Sequence, residues 1–270
     1  MTDKLVYAWV PGLPHLLRPD LCANYEVLAR ACGDVAQEFE RRNVKRILYY
    51  STQWLSVLGQ SVQARSRVKG LHVDENWYDI ASLQFDFLTD LGLVENLVSL
   101  SRGVGLQVRA VDYEGFPVDT GTIVANNLLN KAGIKTSMYS CCVYSDYAET
   151  KRIGEIARQA ALSLDGVTAI VAVSGLSGRY YTDVINYNDD SIRDPVDDKW
   201  NKKMLRAMSE GRWNDVSSMR EQFCQATKAD MGLKALAFLE GAGACASGKR
   251  LKTIEYSAIY GTGAAVMLGE

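Results

Sequence analysis

The sequence predicts a single α/β domain, a central mixed sheet flanked by helices, and three observations carry that expectation. Short β-branched runs alternate along the chain with longer stretches of helical apolar periodicity. Residues 166–175 (GVTAIVAVSG) form a continuous apolar run, as a strand buried on both faces of a sheet must. No internal repeat and no Pro/Gly/Ser-rich linker divides residues 1–270, so one domain is expected to span them.

The elements follow in order. Residues 4–10 (KLVYAWV) read as a buried strand, broken by Pro11, Gly12 and Pro14. A helix is expected from Asp20 to Arg42, with Leu21, Tyr25, Leu28, Ala29, Cys32, Val35 and Phe39 on one side. Residues 45–51 make a second strand, ended by the polar Ser51-Thr52-Gln53. Residues 57–80 look like a polar excursion with a β-prone piece around His72. A helix over 84–101, a strand over 106–111, a helix over 120–132 and a strand over 134–143 come next. A helix over 149–164 leads into the 166–175 strand. Residues 178–200, with six Asp and three Tyr, read as a solvated loop more readily than as a pocket rim. Helices fill most of 197–246, and 251–260 is the last strand, capped by Gly261-Thr262-Gly263.

Composition excludes several functions. The chain is 47% hydrophobic and 23% charged, with 30 Lys+Arg against 32 Asp+Glu, so it has no excess of cations for a nucleic-acid surface. No apolar run reaches the roughly 18 residues of a membrane span, and the six-residue run near the N-terminus is shorter than a signal-peptide core, so a cytoplasmic protein is expected. The six cysteines contain no C-x-x-C pair, which disfavours zinc and fits reduced thiols. There are only two histidines, His15 and His72, so no site can use three.

Three motifs fail on inspection. Gly261-Thr262-Gly263-Ala264 lacks the third glycine of a dinucleotide fingerprint, and only seven residues follow Gly263. Gly175-Leu176-Ser177-Gly178-Arg179 has Arg where a nucleophile elbow needs Gly. Gly241-Ala242-Gly243-Ala244 lies late in a helical stretch, where small residues most simply permit close packing.

Four strand-end features remain: Gly12-Leu13-Pro14-His15, Ser51-Thr52-Gln53-Trp54, Ser174-Gly175-Leu176-Ser177-Gly178-Arg179 and Tyr260-Gly261-Thr262-Gly263-Ala264. Ligand clefts of open α/β sheets lie beyond the carboxyl ends of strands, so all four are expected to ring one pocket. In order and spacing they resemble the class III extradiol ring-cleaving dioxygenases of the protocatechuate 4,5-dioxygenase type. That family has an early Pro-His, a Ser-x-His-Trp, a Leu-Ser-His-Arg and a terminal Gly-Thr-Gly-Ala.

The resemblance implies the family's α/β fold. In active members it implies Fe(II) held by two His and one carboxylate, with a further His as acid/base. Position by position, His15 matches the first iron ligand, Gln53 stands at the second, and Gly178 stands at the acid/base position. The carboxylate, on an expected helix over 230–233, falls at Gly232, with Asp230 two residues away as the alternative. A neutral amide and two glycines cannot replace an imidazole, a base and an anion. The expectation is a vestigial pocket of His15, Gln53, Gly178 and Gly232, with no catalytic residue and no metal in this chain.

The resemblance further implies a non-catalytic alpha subunit beside a homologous catalytic beta subunit that holds the Fe(II). It implies an α2β2 assembly, for which an apolar interface above about 2,000 Å² is expected. It also implies that the complex opens 2-aminophenol to 2-aminomuconic 6-semialdehyde, in catabolism of aromatic compounds. Two alternatives stay open. One is an active iron dioxygenase using His15 and His72 with Asp74, Glu75 or Asp230 as carboxylate. The other is a small-molecule binding protein on the same scaffold.

Overall fold

The computed structural model describes residues 4–80 and 82–270. Its centre is four parallel strands. These are β1 (Leu5–Val10), β2 (Val44–Ser56), β7 (Lys135–Cys142) and β8 (Val167–Val173), adjacent in the order β7-β2-β8-β1. β3 (Gln60–Gln63) and β6 (Val108–Val111) extend the β7 side. β9 (Leu251–Ile259) and β10 (Thr262–Gly269) extend the β1 side as an antiparallel hairpin. The result is an eight-stranded mixed sheet, with β4 (Arg67–His72) and β5 (Leu83–Leu88) as a separate hairpin.

Side chains of a strand alternate between its faces, and here that alternation divides the core. From β1, Leu5, Tyr7 and Trp9 enter one apolar cluster, and Val6, Ala8 and Val10 enter the other. Helices α1 (Ala23–Arg41) and α3 (Thr120–Leu129) cover the second face. Helices α2 (Leu91–Gly103), α4 (Tyr147–Leu162), α5 (Pro195–Ser209), α6 (Trp213–Thr227) and α7 (Lys234–Ala242) cover the first. Four helices start at an aspartate whose carboxylate accepts a backbone N–H of the first turn: Asp90, Asp119, Asp146 and Asp194. No described helix is long and apolar enough to cross a membrane, and all six cysteines are free thiols.

Several expectations need correction. Residues 83–88 are a strand, because Leu83, Phe85 and Phe87 alternate with polar residues and pair with β4; the helix begins only at Leu91. Ser51-Thr52-Gln53 does not end β2, which bulges between Ser51 and Leu55 and runs on to Ser56. Gly261 does not cap a last strand: Tyr260 and Gly261, both at positive φ, turn the chain back into β10. Residues 230–233 are a short 3-10 turn rather than a helix, with Met231, Gly232 and Leu233 in left-handed backbone. Within 178–200, Pro195 already opens α5, and Asp190 and Asp197 are buried rather than solvated.

The small residues near position 241 do permit close packing. A β-carbon on Gly241 would overlap the Lys151 carbonyl oxygen, and one on Gly154 would overlap that of Phe238, so α4 and α7 meet backbone to backbone. A β-carbon on Gly33, inside α1, would meet nothing within 4 Å. Gly241→Ala should therefore destabilise the protein by about 2 kcal/mol or more in urea unfolding. Gly33→Ala should stabilise it by roughly 0.5–1 kcal/mol. Equal effects of the two substitutions would contradict the contact.

Candidate functional site

β1 runs out into Pro11-Gly12-Leu13, and Pro14 starts a 3-10 turn (Pro14–Leu17) that turns His15 inward. His15 is fully buried. Four aromatic rings surround its imidazole, with centroids at 4.8 Å for Trp77, 5.2 Å for Tyr187, and 5.3 Å for both Tyr25 and Tyr260. The four come from the turn after β4, the loop before α5, the first turn of α1 and the β9–β10 turn. Asp190 fixes two of them: its carboxylate accepts from the Tyr25 hydroxyl at 2.7 Å, the Tyr260 N–H at 2.5 Å and the Gly261 N–H at 2.8 Å. Neither ring nitrogen of His15 has a hydrogen-bond partner among the described residues. Burial pushes its pKa down to about 4, opposed only by the negative field of Asp79, so the imidazole is neutral at pH 7.

Gln53 sits in the β2 bulge. A β-carbon at Gly12 would stand 3.0 Å from its Nε2, and one at Gly121 would stand 2.9 Å from its Cδ. The amide is therefore held between two glycine backbones. Gly178 has no room for a side chain, since a β-carbon there would lie 2.7 Å from the Lys228 carbonyl oxygen and 3.2 Å from the Asp230 nitrogen. Gly232 is the opposite case: its β-carbon position is open, but its φ of +64° suits glycine.

Asp230 is the carboxylate that reaches the strand ends. Its Oδ2 accepts from the Thr52 hydroxyl at 2.7 Å, the Ser174 hydroxyl at 2.8 Å and the Gly175 N–H at 2.9 Å. His72 goes elsewhere. Its Nε2 lies 2.8 Å from the Thr120 hydroxyl, which donates to Asp74 at 2.5 Å. Glu75 is exposed.

These donors do not fit a ferrous ion. A facial triad needs two imidazoles and a carboxylate converging with free lone pairs. Here one imidazole faces aromatic rings, the second position offers an amide, and one oxygen of Asp230 already accepts three hydrogen bonds; Asp119, which accepts from Ser51 at 2.6 Å, brings a buried oxygen without a partner among the described residues but no second imidazole beside it. Among the described residues, no three His, Cys, Asp or Glu side chains are grouped so as to hold a metal. The four strand-end features do meet at one end of the sheet, as expected: Gly12 packs on Val173 and Gln53, Thr52 shares Asp230 with Ser174, and Tyr260 packs on His15. The aromatic walls were not anticipated. The loop reading of 178–200 hid Tyr187 and Asp190, and nothing local marks Trp77 or Tyr25.

Residues 25–267 match the family described as the catalytic LigB subunit of aromatic ring-opening dioxygenase. The chain is 34% identical over 262 residues to the 2-aminophenol 1,6-dioxygenase alpha subunit of a Pseudomonas species, covering 96% of each. It is 20% identical over 252 residues to the beta subunit of the enzyme of that name, also from Pseudomonas, covering 86% of this chain and 83% of that one. It is 18% identical over 218 residues to 3,4-dihydroxyphenylacetate 2,3-dioxygenase of Escherichia coli, covering 79% and 76%. An uncharacterised protein of Escherichia coli K12 shares the fold, with a TM-score of 0.67 at 14% identity over 98% of both chains.

The buried imidazole makes stability depend on pH. Its pKa is lower folded than unfolded, so the unfolded chain takes up the proton first as pH falls. The neutral cage is fully supported above about pH 6.5, and that support is lost toward pH 4. Between pH 7 and pH 4 the protein should lose about 3 kcal/mol more stability than its His15→Phe variant, read from urea unfolding. Parallel pH profiles of the two proteins would contradict the burial of a neutral imidazole.

Proposed function

This chain belongs to the LigB family of aromatic ring-opening dioxygenase subunits, and from that premise we propose that it is the non-catalytic alpha subunit of a 2-aminophenol-cleaving enzyme. The single observation that carries this reading is the donor set at the strand ends: His15 in an aromatic cage, Gln53 and Gly178 at the second-ligand and acid/base positions, and the Asp230 carboxylate tied to Thr52, Ser174 and Gly175. The greater identity to an alpha subunit than to its beta counterpart supports it.

On this reading the partner is a homologous beta subunit that holds the Fe(II), in a cytoplasmic α2β2 assembly. The complex opens 2-aminophenol to 2-aminomuconic 6-semialdehyde. His15, Gln53, Gly178 and Gly232 are the vestige of the site, and this chain supplies no ligand and no proton acceptor. Its contribution is to stabilise beta and complete the interface. Leu55, Val57 and Leu58, around the β2–β3 turn, and Tyr144 beside them stand exposed, which is unusual for apolar side chains grouped at one end of a sheet and suits an apolar contact.

Coexpression with a homologous chain bearing Ser-x-His-Trp and Leu-Ser-His should give a stable complex that contains iron and opens 2-aminophenol. In that complex His15→Ala should leave the iron content unchanged, whereas substituting the partner's site histidines should abolish both iron and activity. Ring cleavage by this chain alone, with bound iron, would contradict the proposal. The donor set also predicts that Gln53→His alone leaves the purified chain without stoichiometric iron by elemental analysis. Gly178→His should unfold at lower urea, because the new side chain meets backbone. One tightly held iron per chain in the Gln53→His protein would show that Asp230 is free to bind.

A further inference from the structure

Residues 72–80 cross the open side of the His15 cage, and their fastening is specific. At one end, Thr120 at the start of α3 bonds both His72 and Asp74. At the other, the Arg18 guanidinium, just past the His15 turn, donates to the Ile80 carbonyl at 3.2 Å. Turn bonds within the segment hold its shape: Trp77 N–H to the Asp74 carbonyl and Ile80 N–H to the Trp77 carbonyl. Between the fastenings, Val73, Glu75, Asn76, Tyr78 and Asp79 are exposed, while Ile80 is buried and the Trp77 indole reaches inward. That indole stands edge-on to both His15, at 4.8 Å, and Tyr260, at 4.3 Å.

We propose that residues 72–80 are a strap that plugs this pocket, with the Trp77 indole occupying a ring-sized space beside His15. The plug fills by shape alone. Among the described residues both imidazole nitrogens are without a partner, so they mark a wall that the indole covers and does not satisfy. Because the strap is tied at two points and largely solvated between them, it opens at lower free energy than the sheet beneath it. The pocket is thus shut by the chain's own aromatic residue, which covers a buried imidazole. The inference rests on the geometry of the strap and not on the subunit assignment.

Acylation of the two histidines by diethyl pyrocarbonate, mapped separately by peptide mass spectrometry on the full-length chain, tests this directly. In the wild type His15 should react at least about tenfold more slowly than N-acetylhistidine, because reaction must wait for strap opening. Trp77→Ala should raise the His15 rate at least about tenfold, and free indole should restore protection by refilling the space. Thr120→Val, which releases one end of the strap while leaving Trp77 in place, should raise it several-fold and keeps the test open should Trp77→Ala fail to fold. A wild-type His15 as reactive as N-acetylhistidine, or a folded Trp77→Ala protein whose His15 stays protected, would overturn the plug. Failure to assemble with a partner would leave these rates unchanged, so the two readings fail separately.

Discussion

One carboxylate joins the bulge of one central strand to the carboxyl end of the other. Asp230 accepts from Thr52 in the β2 bulge and from Ser174 and Gly175 at the end of β8, so a single oxygen gathers three donors from two strands. Hydrogen bonds to a charged acceptor are the stronger kind, and each contributes about 1.5–3 kcal/mol. The left-handed run Met231–Leu233 follows at once and delivers the chain into α7. One oxygen of Asp230 is thereby committed as a clasp between β2 and β8.

The cage around His15 follows the same logic from the apolar side. An imidazole at an iron site is oriented by the metal on one nitrogen and by a hydrogen-bonded partner on the other. For His15 no hydrogen-bond partner lies among the described residues, and four rings in edge-on or tilted contact surround it. Burial among these rings strips the imidazole of water, which disfavours its charged form and lowers its pKa. Asp190 then locks Tyr25 and Tyr260 together, so a loop rich in acidic residues becomes part of the wall.

Much of this was legible in the sequence because it is local. The apolar runs at 166–175 and 4–10 need no tertiary knowledge to read as buried strands, and the glycines at 241 and 243 read as packing residues. The misreadings arose where two periods coexist or where a turn imitates a cap. Leu83, Phe85 and Phe87 continue into Leu91, Leu93 and Val94, so a strand and a helix share one apolar stretch. Tyr260-Gly261 carries the signal of a hairpin turn, but the following Thr-Gly-Ala reads equally as a loop. His15 and Gln53 are legible because strand ends converge by rule, and Asp230 enters only through the family resemblance, as the alternative to Gly232. Tyr25, Trp77 and Tyr187 were missed because their convergence depends on where four separate segments cross.

The central claim is a shortage of donors in this chain, and anaerobic titration of the isolated full-length protein with Fe(II), followed by electron paramagnetic resonance of its nitric oxide adduct, addresses it most directly. The account predicts no saturable site and only the signal of free iron. A single high-spin iron–nitrosyl species saturating at one per chain would contradict it.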